Sequence, residues 1–179
     1  MIDGAHRHVV ASALLFLACE AAILFWRLLP LSSGFAGWPG PDLGLCLMFA
    51  WVLRRPDQVG ALPIVLFFAI EDVLLLRPLG LWAFFVLLGS EAARGREHRW
   101  RDQPFMVEWL RVSILIGMMM LGYRIVQFLF LLPVPVLGQV ILQYLATVAC
   151  YPMVVFGARW LIGLRRISAA EAEMMRHNA

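Results

Sequence analysis

Residues 9–29 read VVASALLFLACEAAILFWRLL, with Glu20 and Arg27 as the charged positions. A helix of about 21 residues rises roughly 30 Å, the thickness of a bilayer's hydrocarbon core. Apolar residues here are consecutive rather than alternating, so a half-buried strand does not fit. A segment that crosses lipid must satisfy its own backbone hydrogen bonds, and a helix does so. The run is longer than the apolar stretch of a secretory signal and carries two charges, so it is expected to be retained as a span.

Five further apolar runs follow the first. Residues 42–53 form a short one, about 18 Å as a helix, stopped by Arg54-Arg55-Pro56-Asp57. Residues 59–76 form a third, interrupted by Pro63 and by the adjacent acids Glu71 and Asp72. Arg77-Pro78-Leu79-Gly80 reads as a tight turn. Residues 81–93 are again short, and a basic loop with Arg94, Arg96, Arg99 and Arg101 closes them. The fifth run, 105–132, is broken by Pro133-Val134-Pro135. The sixth, 137–164, contains Pro152 and ends at Arg165-Arg166. The expected fold is all-α: one polytopic transmembrane bundle of about six helices over residues 1–166, with a polar cytoplasmic tail over 167–179.

Composition agrees with this reading. Of 179 residues, 62% are hydrophobic, and the mean hydropathy is +0.80. A soluble globule of this size has too little interior for so many apolar side chains. All 15 basic residues are Arg, whose planar fork suits carboxylates and lipid phosphates. They are dispersed in small clusters between apolar runs, which does not make a nucleic-acid surface. Cys19, Cys46 and Cys150 sit inside apolar runs without metal spacing and read as small core residues.

The distribution of Arg sets a topology. In a six-span arrangement Arg7, Arg54, Arg55, Arg94, Arg96, Arg99, Arg101, Arg165, Arg166 and Arg176 share one face, ten of the 15. Arg27, Arg77 and Arg124 fall towards the other. Both termini are therefore expected in the cytoplasm. The Arg94–Arg101 cluster reads as a topology signal that meets anionic headgroups, or as a dock for a filament.

Charge at bilayer depth is costly and turns towards protein or water. Glu108 and Arg111 are expected to form a snorkelling pair one turn apart. Glu20, mid-span, is expected either to meet an Arg across helices or to remain neutral. Glu71 and Asp72 project about 100° apart on a helix, so both cannot face lipid. Together with Asp42 and Arg77 they are expected to form a polar core that fixes packing or holds a partner helix or an ion. Gly117 and Gly122 are five apart and miss the small-xxx-small spacing of helix dimers.

Residues 41–57 run Pro41-Asp42-Leu43 to Ala50-Trp51-Val52-Leu53-Arg54-Arg55-Pro56-Asp57. They lead to Ile70-Glu71-Asp72-Val73-Leu74 and then Arg77-Pro78-Leu79-Gly80-Leu81-Trp82-Ala83. This part of the chain, about residues 41 to 94, resembles the rod shape-determining MreD family in its alphaproteobacterial form. The similar features are a Pro-Asp opening the second span, a charged Pro-containing turn, an acid near the outer end of the third span, and a Leu-Gly turn. Asp72 matches the family's acidic position most directly; the doubled acid is a departure. The resemblance implies a non-enzymatic inner-membrane subunit of the elongation machinery, acting with a bitopic MreC-like protein, RodA with a class B penicillin-binding protein, and an MreB-like filament. It also implies a likeness in fold to the substrate-binding subunits of energy-coupling-factor transporters.

A second expectation is a membrane-embedded substrate-binding subunit for a small, vitamin-type molecule, suggested by the short second and fourth runs and the buried acids. An intramembrane enzyme fits poorly. His6, His8, His98 and His177 all lie in tails or a loop, away from any hydroxyl or acid at depth. No cofactor and no metal are expected.

Overall fold

A computed structural model describes residues 2–29, 40–95, 103–161 and 163, with side chains described from Val9 onward. Arg96, Arg99, Arg101, Arg165, Arg166, Arg176 and the tail 167–179, and the side chain of Arg7, all part of the topology reading, lie outside that description. Among the described residues every element is a helix: α1 Ile2–Leu28, α2 Leu43–Val52, α3 Ala61–Leu74, α4 Leu81–Arg94, α5 Phe105–Leu129 and α6 Leu137–Leu161.

Three of these, α1, α5 and α6, are long and apolar enough to cross a membrane. The chain is thus a membrane protein in character, and an all-α helical bundle. The other three are short, 10, 14 and 14 residues, or roughly 15–21 Å of rise. The expected six runs are all present as helices, but α2, α3 and α4 each fall short of the hydrocarbon thickness.

The shortest helix is the innermost. Every residue of α2 from Gly44 to Val52 is buried, as expected for a helix apolar on all sides. It packs most extensively on α6, while α3 and α4 form a tight antiparallel pair. The long helices face outwards, and α3 shows a stripe of exposed Leu62, Leu66, Ile70 and Val73. Lipid is as apolar as leucine, so burying α2 gains packing contacts rather than escape from water. Its position must then be fixed by shape and by polar ties.

Glycines supply part of the shape. A Cβ on Gly122 would lie 2.5 Å from Phe85 of α4, and one on Gly117 would lie 3.4 Å from Tyr144 of α6. The two glycines of α5 admit rings from different neighbours, which is why their spacing matches no helix-dimer motif. Gly89 of α4 gives Met119 the same kind of room.

Two prolines behave differently from each other. Pro63 does not interrupt α3, contrary to the expectation; it sits in the first turn, where its missing N–H has no intrahelical partner to lose. Pro152 lies well inside α6 and takes away the N–H that would bond the carbonyl of Val148. The indole Nε1–H of Trp109 on α5 donates to that carbonyl instead, at 2.9 Å. Side chains re-satisfy freed backbone in this way wherever water is scarce.

Candidate functional site

Helix directions alternate along the chain. Phe16 of α1 meets Trp51 near the end of α2, and Glu20 faces Gly44 near its start. The starts of α2, α4 and α6 therefore gather at one end of the bundle with the ends of α1, α3 and α5. This is the Asp42 end; the opposite is the Arg54 end.

At the Asp42 end, Asp42 caps α2, its Oδ1 accepting the Leu45 N–H at 3.1 Å. Its own N–H donates to the hydroxyl of Thr147 on α6, at 2.9 Å. Thr147 passes its proton to the carbonyl of Gln143 and accepts from Cys46 at its carbonyl oxygen. One residue thus binds the first turn of α2 to α6.

Arg27, at the end of α1, joins three helices. Its Nη1 lies 2.9 Å from Glu71 Oε1 on α3 and 3.7 Å from Asp42 Oδ2. Arg77, in the turn after α3, approaches the same Glu71 oxygen at 3.8 Å and lies over the ring of Trp82, 5.6 Å from its centroid. Glu71 is 3% exposed and Asp42 2%, while Arg27 and Arg77 keep 30% and 21% of their side chains exposed, so each pair joins a buried acid to a partly solvated base.

The adjacent acids divide their work as helix geometry requires. Glu71 faces the arginines. Asp72, fully buried, turns towards α4, where its Oδ2 accepts the Ala83 N–H at 3.3 Å. A carboxylate there meets the positive end of the α4 dipole. Of the four expected core residues, Asp42, Glu71 and Arg77 converge, and Asp72 serves the neighbouring helix.

Glu20 differs from all of these. It is 1% exposed, and neither carboxylate oxygen has a hydrogen-bond partner among the described residues. The arginine expected from another helix does not reach Glu20, and Arg27, on the same helix, is taken up by Glu71 and Asp42. Gly44 makes the niche: a Cβ there would lie 2.7 Å from Glu20 Oε2.

Two cavities meet at Asp42. One, of about 540 Å³, has Arg77, Trp82, Tyr123 and Arg124 in its wall. The other, of about 450 Å³, lies among α1, α2 and α3 beside Glu20, Arg27 and Glu71.

The Arg54 end has polar ties of its own. Arg54, read as a loop charge, is instead 9% exposed and folds back into the bundle. Its Nη1 donates to the carbonyl of Ala50 and to Glu108 Oε1, both at 3.1 Å. Tyr151 of α6 donates to the same Glu108 oxygen at 2.6 Å and stacks on Phe105, with centroids 6.4 Å apart. Glu108 is 2% exposed, so it is an interior group and not the snorkelling residue expected at a lipid margin. Arg94 ties α4 to the approach of α3 through the Val59 carbonyl, at 2.7 Å, and also pairs with Glu91. Arg55 is half-buried and Asp57 exposed.

Sequence reasoning missed Arg27, Thr147 and the inward turn of Arg54. The partners lie far apart in the chain, and the only available signal was that charges at depth need company. Comparison of the chain with models of known protein families, with curated proteins and with solved structures gave no match.

Proposed function

We propose that this chain is a non-enzymatic inner-membrane subunit of the bacterial wall-elongation complex, of the MreD type, and helps maintain cell shape by organising lateral peptidoglycan synthesis. One observation carries the reading. The residues of the MreD-like stretch are those that order the Asp42 end: Asp42 caps α2, Glu71 meets two arginines, and Asp72 holds α4.

In this reading both termini are cytoplasmic. Helix alternation supports that, because it collects Arg54, Arg55 and Arg94 at one end and Arg27, Arg77 and Arg124 at the other. The exposed stripe of α3 offers a face for the single span of an MreC-like protein. RodA with its class B penicillin-binding protein, and an MreB-like filament on the cytoplasmic side, complete the partner set. Depletion in a rod-shaped host makes cells round, and the chain co-purifies with an MreC-like protein in mild detergent. Normal shape after clean deletion sinks the proposal.

A second reading is favoured by the two cavities that meet at Asp42. In it the chain is the membrane-embedded substrate-binding subunit of a small-molecule transporter, with the energy-coupling-factor type of fold. Mass spectrometry of gently purified protein distinguishes the two: a stoichiometric small molecule supports transport, and a partner protein supports the scaffold.

A further inference from the structure

We infer that the cavity beside Glu20 binds an organic cation, a guanidinium or an ammonium group. The cavity, about 450 Å³, is walled by Glu20, Asp42 and Glu71 against one base, Arg27. Arg27 is already engaged by Glu71 and Asp42. Glu20 is left with two buried oxygens that have no hydrogen-bond partner among the described residues, and Asp42 Oδ2 likewise accepts no hydrogen bond.

Desolvated carboxylate oxygens without donors are expensive to maintain. Inside a membrane such a group marks a place where a charge is received. The chain has gone further and keeps a glycine, Gly44, where any side chain would collide with the carboxylate. Phe67 and Trp26 also line the cavity. Acceptor-only carboxylates beside aromatic faces are what guanidinium and ammonium groups require. On binding, Glu20 turns from Gly44 towards the cavity and accepts from the cation, while Asp42 Oδ2 takes a second donor and retains its cap through Oδ1.

The cation belongs either to a free small amine or to a basic side chain on a partner's span. The chemistry is shared, and the inference names what the partner-binding end of the bundle takes, so it deepens the reading above. The experiment uses the isolated full-length protein in lipid nanodiscs. One arm titrates methylguanidinium chloride against sodium chloride of equal ionic strength and follows thermal unfolding. The other measures, by fluorescence, association with a single-span Leu/Ala peptide carrying one central Arg, against the same peptide with Leu.

At saturation methylguanidinium is expected to raise the midpoint by about 2–4 °C, or the Arg peptide is expected to associate when the Leu peptide does not. A response to methylguanidinium alone identifies a free amine; a response to the peptide alone identifies a partner's side chain. Glu20→Gln is expected to weaken whichever response is seen by roughly tenfold or more. Asp42→Asn keeps the α2 cap, since Asn caps as well as Asp, and takes the place of Glu20→Gln should that variant not fold. No response in either arm, or an undiminished response in the variant, overturns the inference. Neither outcome bears on cell shape, so a failure here is separable from a failure of the wall-elongation reading.

Discussion

The two ends of the bundle use the same residue types to opposite effect. At the Arg54 end, Arg54, Glu108 and Tyr151 form a dry triad in which one carboxylate oxygen accepts from two donors. At the Asp42 end, Glu71 meets two arginines, Asp72 turns to α4, Glu20 has no hydrogen-bond partner among the described residues, and two cavities adjoin Asp42. Buried polar groups that are fully satisfied hold a structure together, whereas unsatisfied ones are retained for what they will meet. The carboxylate of the Arg54 end is tied by donors from two elements, whereas the Asp42 end keeps a carboxylate without a hydrogen bond among the described residues.

That contrast can be broken by substitution. The largest effect is expected from Arg54→Ala, which removes the guanidinium that donates to the buried Glu108. Removing one member of a buried pair costs about 3–5 kcal/mol, measurable as reversible unfolding in mixed micelles. A loss below about 1 kcal/mol would mean the triad is ornamental. Next comes Gly44→Ala at the other end. Its Cβ would collide with Glu20 Oε2, and overpacking of this kind costs about 1–3 kcal/mol. Glu20→Gln in the Gly44→Ala background should leave that cost in place, because the clash is steric.

Tyr151→Phe should cost about 1.5 kcal/mol, the lower end for one hydrogen bond to a charged acceptor. Asp72→Asn should cost about 1 kcal/mol through the weakened end of α4, read as faster hydrogen exchange at Ala83 than at Ile116. The smallest effect sharpens the comparison most. Glu20→Gln alone replaces a side chain that makes no hydrogen bond among the described residues with one of the same shape, so stability should stay within about 0.5 kcal/mol of the parent or rise. A large loss would show that Glu20 supports the fold, and the two ends would then be alike.

Hydropathy made the six helices and their order legible, because each is a run that lipid or a helical interior accepts. Local chemistry made some ends legible too: Asp42 opens α2 as its cap, and the 77–80 turn separates α3 from α4. Lengths were less legible. Pro63 looked like an interruption because a proline's effect depends on which turn it occupies, and the start of α3 is decided by tertiary contacts. The site was legible only as a list of acids with one base, Arg77. Which acid meets which base depends on contacts such as Arg27 with Glu71 and Asp42 with Thr147, across helices whose rotation no local pattern fixes. Arg54 shows the same limit, since a charge before a proline reads as a loop residue until Glu108 of a distant helix is placed beside it.

The complete enclosure of α2 has a consequence for biogenesis. A segment rising about 15 Å spans only half of the hydrocarbon, so it cannot rest in the bilayer by itself once it leaves the ribosome. Its principal neighbour, α6, is made after the other described helices. The nascent chain must therefore hold α2 in the company of α1, α3 and α4, half-dressed, until translation delivers α6.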